Sequence, residues 1–218
     1  MSVFLDYSKY YDLIYSDKDY EKEVNFVNNL LNQFSTQKIK NLLELGSGTG
    51  KHAYHLAQKG YEITGIDQSQ DMLAIAQRML AKLPVELTTK IRLEKGDVRS
   101  FRTTQQFDAA ISLFHVLSYQ ITDHDVEAMF RTAKEHIKPG GLFIFDCWYG
   151  PAVLSQKPSV RFRQWQNNDL SVERVAVPCM DENENRVTVN YHLFIKEKTN
   201  DAYQKLQESH EMRYFFLP

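Results

Sequence analysis

Between Glu44 and Gly50 the chain runs Glu-Leu-Gly-Ser-Gly-Thr-Gly, with glycines at alternate positions directly after a short apolar run, Ile39 to Leu45. Glycine tolerates backbone conformations closed to other residues and lets main-chain N–H groups approach a ligand closely. A turn of this kind after a buried strand lies where open α/β sheets bind ligands, at the strand's carboxyl end. Two phosphate-binding chemistries fail on spacing. A P-loop needs Gly-Lys-Ser/Thr after four intervening residues, and a dinucleotide loop needs glycine where Lys51 stands. Asp67 ends the next apolar segment roughly twenty residues later, where a carboxylate can accept both hydroxyls of a ribose. Ser112-Leu113-Phe114-His115 closes a further apolar segment at the same sheet edge, so His115 can take or relay a proton there. Plainer readings stand beside these: the glycines as a packing corner, the histidine as a structural residue.

Such residues need elements to carry them, and the pattern supplies strand and helix in alternation. Val24, Val27, Leu30, Leu31 and Phe34 fall on one face of a helix from Tyr20 to Phe34. The glycine loop opens a helix over 51–59, and Tyr61 to Asp67 reads as a second strand. Ser69 is placed to N-cap a helix with Met72, Leu73, Ile75, Ala76, Met79, Leu80 and Leu83 inward, and Pro84 discourages its continuation. Ile91 to Lys95 and Phe107 to Phe114 supply two more strands, the second with the continuous apolar character of a buried parallel strand. Thr122 with Asp125 resembles a capping box for a helix whose inner face is Val126, Met129, Phe130, Ala133 and Ile137. Lys138-Pro139-Gly140-Gly141 breaks that helix before a fifth strand, Leu142 to Phe145. This alternation predicts an α/β fold with a mostly parallel sheet flanked by helices. After Tyr149 the texture changes. Trp165, Val172 to Val177, Arg186 to Ile195 and His210 to Leu217 read as strands without intervening helices, an appended antiparallel β element with Val187, Val189, Tyr191, Leu193 and Ile195 on one face.

The 218 residues suit one well-buried α/β core with an added element. Hydrophobic residues make up 43% of the chain and charged residues 25%, with no apolar run long enough to span a bilayer. The start, Met1 to Asp6, lacks the basic and apolar regions of a secretory signal, so a cytoplasmic location is expected. Cys147 and Cys179 stand far apart without metal-ligand spacing, which suggests neither a disulfide framework nor a metal site. A net charge of −2 gives no global attraction for nucleic acid.

Taken with the acidic residue before them, the alternating glycines resemble motif I of class I S-adenosylmethionine-dependent methyltransferases. The likeness extends from Asn41 to Phe145 through Asp67, Met72, Gly96-Asp97-Val98 and Lys138-Pro139-Gly140-Gly141. It implies a Rossmann-like core, S-adenosylmethionine as cofactor and S-adenosylhomocysteine as product. By the same resemblance the cofactor site consists of Glu44, Gly46, Ser47, Gly48, Gly50, Asp67, Gln68, Met72, Asp97, Val98 and Leu113. The residue matching Asp67 holds the ribose in this family, that matching Met72 packs on adenine, and that matching Asp97 contacts the adenine amino group. Taken singly, Met72 also reads as helix core, Asp97 as a turn former and the Pro-Gly-Gly as a loop.

On the acceptor side, Tyr7, Tyr10, Tyr11, Tyr15 and Tyr20 crowd the N-terminus, and Tyr11-Asp12-Leu13-Ile14-Tyr15 resembles the lid of small-molecule N-methyltransferases, the glycine and aminodeoxysugar enzymes above all. The resemblance implies a helical lid over 1–35, a cofactor core over 36–150 and a β element over 151–218, with Tyr15, His115 and Tyr119 as the catalytic candidates. Tyrosines packing their rings on a core while their hydroxyls stay wet is the alternative. The Asn/Asp-Pro-Pro-Tyr run of amino-methylating nucleic-acid enzymes is absent, which counts against a nucleic-acid base as acceptor. His192, His210, Arg161 and Arg163 are further candidates, the arginines through forked hydrogen bonds to an acidic group. The run Glu208 to Phe216 resembles a strand of the aminosugar enzymes' substrate sheet; those relatives continue into another helix and two strands, whereas this chain stops at Pro218. An open sheet edge is therefore expected, which a homodimer would cover. The function expected is methyl transfer to a small molecule, an amine nitrogen first. A small-molecule O-methyltransferase and a noncatalytic adenosyl-ligand-binding or partner-binding protein are the alternatives, and Lys51 disfavours a nicotinamide oxidoreductase.

Overall fold

Local sequence starts each element of the core. In a computed structural model, which describes residues 8–199 and 203–217 and only the backbone of Ser8 and Lys9, helix α1 is Ser8–Ile14 and α2 is Tyr20–Phe34. Tyr7 and the first six residues lie outside the described residues. Asp19 caps α2 by accepting the Lys22 N–H at 2.8 Å, and Glu21 and Glu23 in the first turn face the positive end of the helix dipole. Then come β1 (Asn41–Leu45), α3 (Lys51–Gln58), β2 (Glu62–Asp67), α4 (Gln70–Leu80), α5 (Val85–Thr88), β3 (Ile91–Lys95), β4 (Phe107–Ser112), a turn of 3-10 helix at Val116–Tyr119, α6 (Asp123–His136) and β5 (Ile137–Phe145). The five strands form a parallel sheet in the order β3-β2-β1-β4-β5. Val24 and Leu31 of α2, Leu42 of β1, Leu56 of α3, Ile63 of β2 and Ile111 of β4 meet in one buried cluster. Each contributes about 1.5–3 kcal/mol relative to leaving it in water.

Contacts divide the chain into two units, 19–146 and 1–18 with 147–218. Helix α2, grouped with the N-terminal lid in the sequence reading, falls within 19–146. In the other unit, β6 (Trp148–Tyr149), α7 (Gly150–Gln156), β7 (Arg161–Gln166), β8 (Leu170–Asp181), β9 (Arg186–Glu197) and β10 (Tyr203–Phe215) follow one another. The second sheet has the order β6-β10-β9-β8-β7. Its four long strands are antiparallel, and β6 joins them parallel to β10. Val187, Val189, Leu193 and Ile195 are buried on one face of β9, the period-2 face read from the sequence.

Several expectations need correction. Leu83 lies beyond α4, which ends at Leu80 ahead of Pro84, and Pro84 stands at the N-cap of the short α5. The inner face of α6 is Met129, Thr132, Ala133 and His136; Phe130 is 38% exposed and Ile137 already belongs to β5. Burying two polar residues there is possible because both are satisfied. The His136 ring is placed to donate from Nδ1 to the Thr132 carbonyl at 2.7 Å and accepts the Thr103 N–H at Nε2 at 2.9 Å, while Thr132 Oγ1 accepts from Arg102 at 2.8 Å. Phe34 is 59% exposed rather than inward. Strand β4 stops at Ser112, since Phe114 and His115 both adopt φ of 65°, a left-handed conformation no strand contains. Strand β5 reaches back through Lys138-Pro139-Gly140-Gly141, with a register shift between Phe107 and Ala109 that accommodates the extra residues. Helix α7 was not foreseen, its seven residues lacking a clear apolar stripe. None of the described helices is long and apolar enough to cross a membrane.

Candidate active site

The glycine loop is tied to its neighbours by backbone bonds. Gly46 and Ser47 N–H both donate to the Ile66 carbonyl at 2.9 Å, and Gly50 N–H closes the turn onto the Ser47 carbonyl at 2.9 Å. Gly46 has φ of +82°, and a Cβ there would lie 2.5 Å from Val116 Cγ2, so both its conformation and its space demand glycine. Gly48, at φ +53°, has nothing within 4 Å of its Cβ position: the backbone here borders open space. Gly50 caps α3.

Two carboxylates flank this loop. Asp67 accepts the Gly48 N–H at Oδ2 and the Ser69 N–H at Oδ1, each at 2.8 Å. A carboxylate offers about four lone-pair positions, so each oxygen keeps one acceptor, a match for two vicinal hydroxyls. Burial pushes the Asp67 pKa up, and the two N–H groups pull against it. Glu44 is 1% exposed, and its pKa is pushed up to about 8, first by burial and then by the Asp67 charge. Its Oε1 lies 3.8 Å from His52 Nδ1, and His52 Nε2 lies 2.8 Å from Glu23. Glu44 Oε2 and Ser47 Oγ are buried without hydrogen-bond partners among the described residues. Leaving such groups unsatisfied costs about 1–3 kcal/mol each, and a ligand bearing cationic or hydroxyl groups removes that cost. The donors and acceptors around the loop thus fit an adenosyl amino acid with a positive centre.

After β3, the Gly96 N–H donates to the Asp67 carbonyl at 3.0 Å, joining the Asp97-Val98 turn to the end of β2. Arg99 grips Asp97 with a fork: Nε to Oδ1 at 2.9 Å and Nη2 to Oδ2 at 2.6 Å. That contact holds the Asp97 carboxyl below its ordinary value. Met72 is buried in α4 with its N–H bonded to Ser69, Leu113 is buried against the core, and Gln68 is exposed. The structure therefore brings Glu44, Gly46, Ser47, Gly48, Gly50 and Asp67 together at one strand-loop junction, with Asp97 and Val98 on the adjoining turn.

His115 follows β4 in a strained left-handed conformation, a cost of roughly 1–3 kcal/mol that surrounding contacts must hold. Its N–H donates to Asp146 Oδ1 at 2.7 Å, and its Nδ1 lies 3.4 Å from Asp146 Oδ2. The Asp146 N–H in turn reaches the Ser112 carbonyl at 3.2 Å, and Ser112 Oγ donates to the Leu45 carbonyl at 3.0 Å. The ends of β1, β4 and β5 are thereby laced together beside the glycine loop. Asp146 was missed from the sequence; its one signal was an acidic residue closing the fifth apolar segment. Tyr119 ends the 3-10 turn and is half-buried.

Tyr15 lies in the other unit, 1–18 with 147–218. There the Arg174 guanidinium is 5.0 Å from the Trp165 ring, 5.1 Å from Tyr191 and 5.9 Å from Tyr15, and Nη1 donates to the Tyr15 hydroxyl at 3.5 Å. Burial pushes the Tyr191 hydroxyl up to about 12. His210 is buried edge-on to Tyr191, with Nε2 3.2 Å from Glu208. Arg161 and Arg163 are exposed, and His192 meets Gln207 on the polar face. The sequence does not mark Arg174, Tyr191 or Glu208 as functional residues, since each looks like an ordinary strand residue.

A family model described as a methyltransferase domain matches residues 42–141. The chain is 30% identical over 183 residues to the dTDP-3-amino-3,6-dideoxy-alpha-D-glucopyranose N,N-dimethyltransferase of Streptomyces fradiae, covering 83% of this chain and 68% of that protein. It is 27% identical over 195 residues to the dTDP-3-amino-3,4,6-trideoxy-alpha-D-glucopyranose N,N-dimethyltransferase of Streptomyces venezuelae, covering 86% and 76% respectively. The crystal structure of Streptomyces venezuelae DesVI shares the fold with a TM-score of 0.82 at 24% identity, over 98% of this chain and 86% of that one.

Proposed function

The chain belongs to the class I S-adenosylmethionine-dependent methyltransferases, and from that premise we propose that it methylates the amine nitrogen of a small molecule, with an aminodeoxysugar as the substrate class. The observation that carries this reading is the His115–Asp146 pair beside the glycine loop, combined with the likeness to two aminosugar N,N-dimethyltransferases. The cofactor, when bound, supplies an electrophilic methyl group on a sulfonium. Asp67 holds the ribose through its two remaining acceptor positions, and Glu44 and Ser47 meet the amino-acid end. An amine reaches the enzyme as an ammonium ion and has no lone pair to offer until a proton leaves. His115, its backbone N–H held by Asp146 and its Nδ1 3.4 Å from that carboxylate, is the proposed acceptor for that proton. Tyr119 is the competing relay. Tyr15 and Arg174 are proposed acceptor contacts within their own unit.

The deciding experiment incubates the protein and S-adenosylmethionine with small amines, nucleotide-linked aminosugars, hydroxylated metabolites and oligonucleotides, measuring S-adenosylhomocysteine and product mass. An N-methylated amine or aminosugar is expected. Methylation of hydroxyl acceptors or oligonucleotides alone would overturn the amine assignment. Separately, Asp67→Ala should weaken cofactor binding by about 1.5–3 kcal/mol, because the ribose loses a charged acceptor.

A further inference from the structure

Asp97 carries more hydrogen bonds than a turn former needs. Its Oδ1 accepts both the Arg99 backbone N–H and Arg99 Nε, each at 2.9 Å, which fills that oxygen. Its Oδ2 accepts Arg99 Nη2 at 2.6 Å. Of about four lone-pair positions on a carboxylate, one is left among the described contacts, on Oδ2. The far side of the guanidinium is anchored as well. Arg99 Nη1 donates to Asp125 Oδ1 at 2.9 Å, and Asp125 is locked at the start of α6, its N–H donating to Thr122 Oγ1 at 3.1 Å and its Oδ2 accepting from that hydroxyl at 2.6 Å. The turn after β3 is thus braced against a helix whose Met129 and Ala133 are buried.

Stability does not account for this brace. Arg99 is 42% exposed and Asp97 31%, and ion pairs so open to water add little to folding. What the fork adds is direction, since a planar guanidinium fixes a carboxylate in rotation as a lysine cannot. We infer that Arg99 is a positioning residue for base recognition: it leaves Asp97 one open acceptor, at a fixed place on Oδ2, which selects an amino-bearing base over its 6-oxo counterpart. The inference rests on the reading that Asp97 meets the adenine amino group. A 6-oxo base presents an acceptor to an acceptor and is rejected; an adenine presents one N–H to one lone pair.

Calorimetry with S-adenosylhomocysteine and S-inosylhomocysteine at neutral pH tests it, the readout being the ratio of the two affinities. The unaltered protein should prefer the adenosyl ligand, and Asp97→Ala should remove the preference. Arg99→Ala and Arg99→Lys should each reduce it about tenfold, roughly the value of one charged hydrogen bond, mainly by weakening the adenosyl ligand. If Asp97→Ala keeps the preference, the adenine reading fails and takes the inference with it. If Asp97→Ala removes it while both Arg99 variants keep it, the adenine reading stands and the role of Arg99 is overturned. A merely structural arginine would weaken both ligands equally, leaving the ratio unchanged, which overturns the inference too. Should Arg99→Ala fail to fold, Arg99→Lys decides by the same ratio.

Discussion

Glu44 is a carboxyl group held in the protein interior just before the glycine loop, with a pKa pushed up to about 8 from an ordinary 4.5. Between those values the folded chain keeps a proton that the unfolded chain has released. Stability should therefore fall as pH rises from about 4.5 to about 8 and level off above, by up to roughly 5 kcal/mol. Urea unfolding at pH 5.5 and 8.5 measures the slope, and Glu44→Gln, with no proton to lose, should flatten it; equal slopes in both proteins would remove Glu44 as the cause. Because a positive ligand favours the ionised form, cofactor binding near pH 7 should release protons. Calorimetry in buffers of different ionisation enthalpy reads that release, and Glu44→Gln should diminish it. At His115 the expectation concerns rate. His115→Asn tolerates the left-handed backbone but removes the proton acceptor, so turnover should drop about a hundredfold or more with cofactor affinity nearly unchanged. Tyr15→Phe should likewise lower turnover rather than cofactor affinity. Normal turnover in both variants from pH 6 to 9 withdraws both roles.

The 3-10 turn at Val116–Tyr119 packs directly on the glycine loop, so the two behave as one element. Gly46→Ala meets two obstacles, a φ of +82° and the Val116 side chain at 2.5 Å. Together they should cost about 2–4 kcal/mol of stability, measured by thermal or denaturant unfolding. Truncating the obstructing side chain separates them: Gly46→Ala with Val116→Ala should recover the steric share and leave the backbone strain. A double variant no more stable than Gly46→Ala alone would mean that the strain, not the contact, dominates. Much at this scale was legible beforehand. Ser69 does accept the Met72 N–H, β3 spans the residues foreseen, and the hydroxyl of Thr122 does accept the Asp125 N–H, because caps and periodicity are written within a few consecutive residues. The inner face of α6 was misread because the burial of His136 depends on Thr103, a residue from another segment.

Across the whole chain, β5 stands apart from its neighbours. It is the last strand of the parallel sheet, and its residues are half-buried where those of β1 and β4 are mostly fully buried. Phe130, Phe143 and Phe145 form a ring cluster there with centroids 5.1–5.4 Å apart, Phe130 38% and Phe145 39% exposed. Aromatic surface on the outer strand of a sheet favours pairing, so concentration-dependent self-association is expected in sedimentation, and Phe145→Lys should reduce it. Identical sedimentation of the two proteins would count against the homodimer. What the sequence determined by itself was the alternation of the five core strands with their main helices, the glycine turn and the acidic residues at 44 and 67. Apolar period and glycine spacing act through the chain's own backbone geometry. Tertiary structure alone decided that Asp146 would hold His115, that Arg99 would bind Asp97 and Asp125 at once, that β6 would join β10 in parallel, and that Arg174 would lie among Tyr15, Trp165 and Tyr191. These partners are brought together by packing and strand register, and a contact between residues as distant in the chain as Tyr15 and Arg174 leaves no periodic trace in the order of the amino acids.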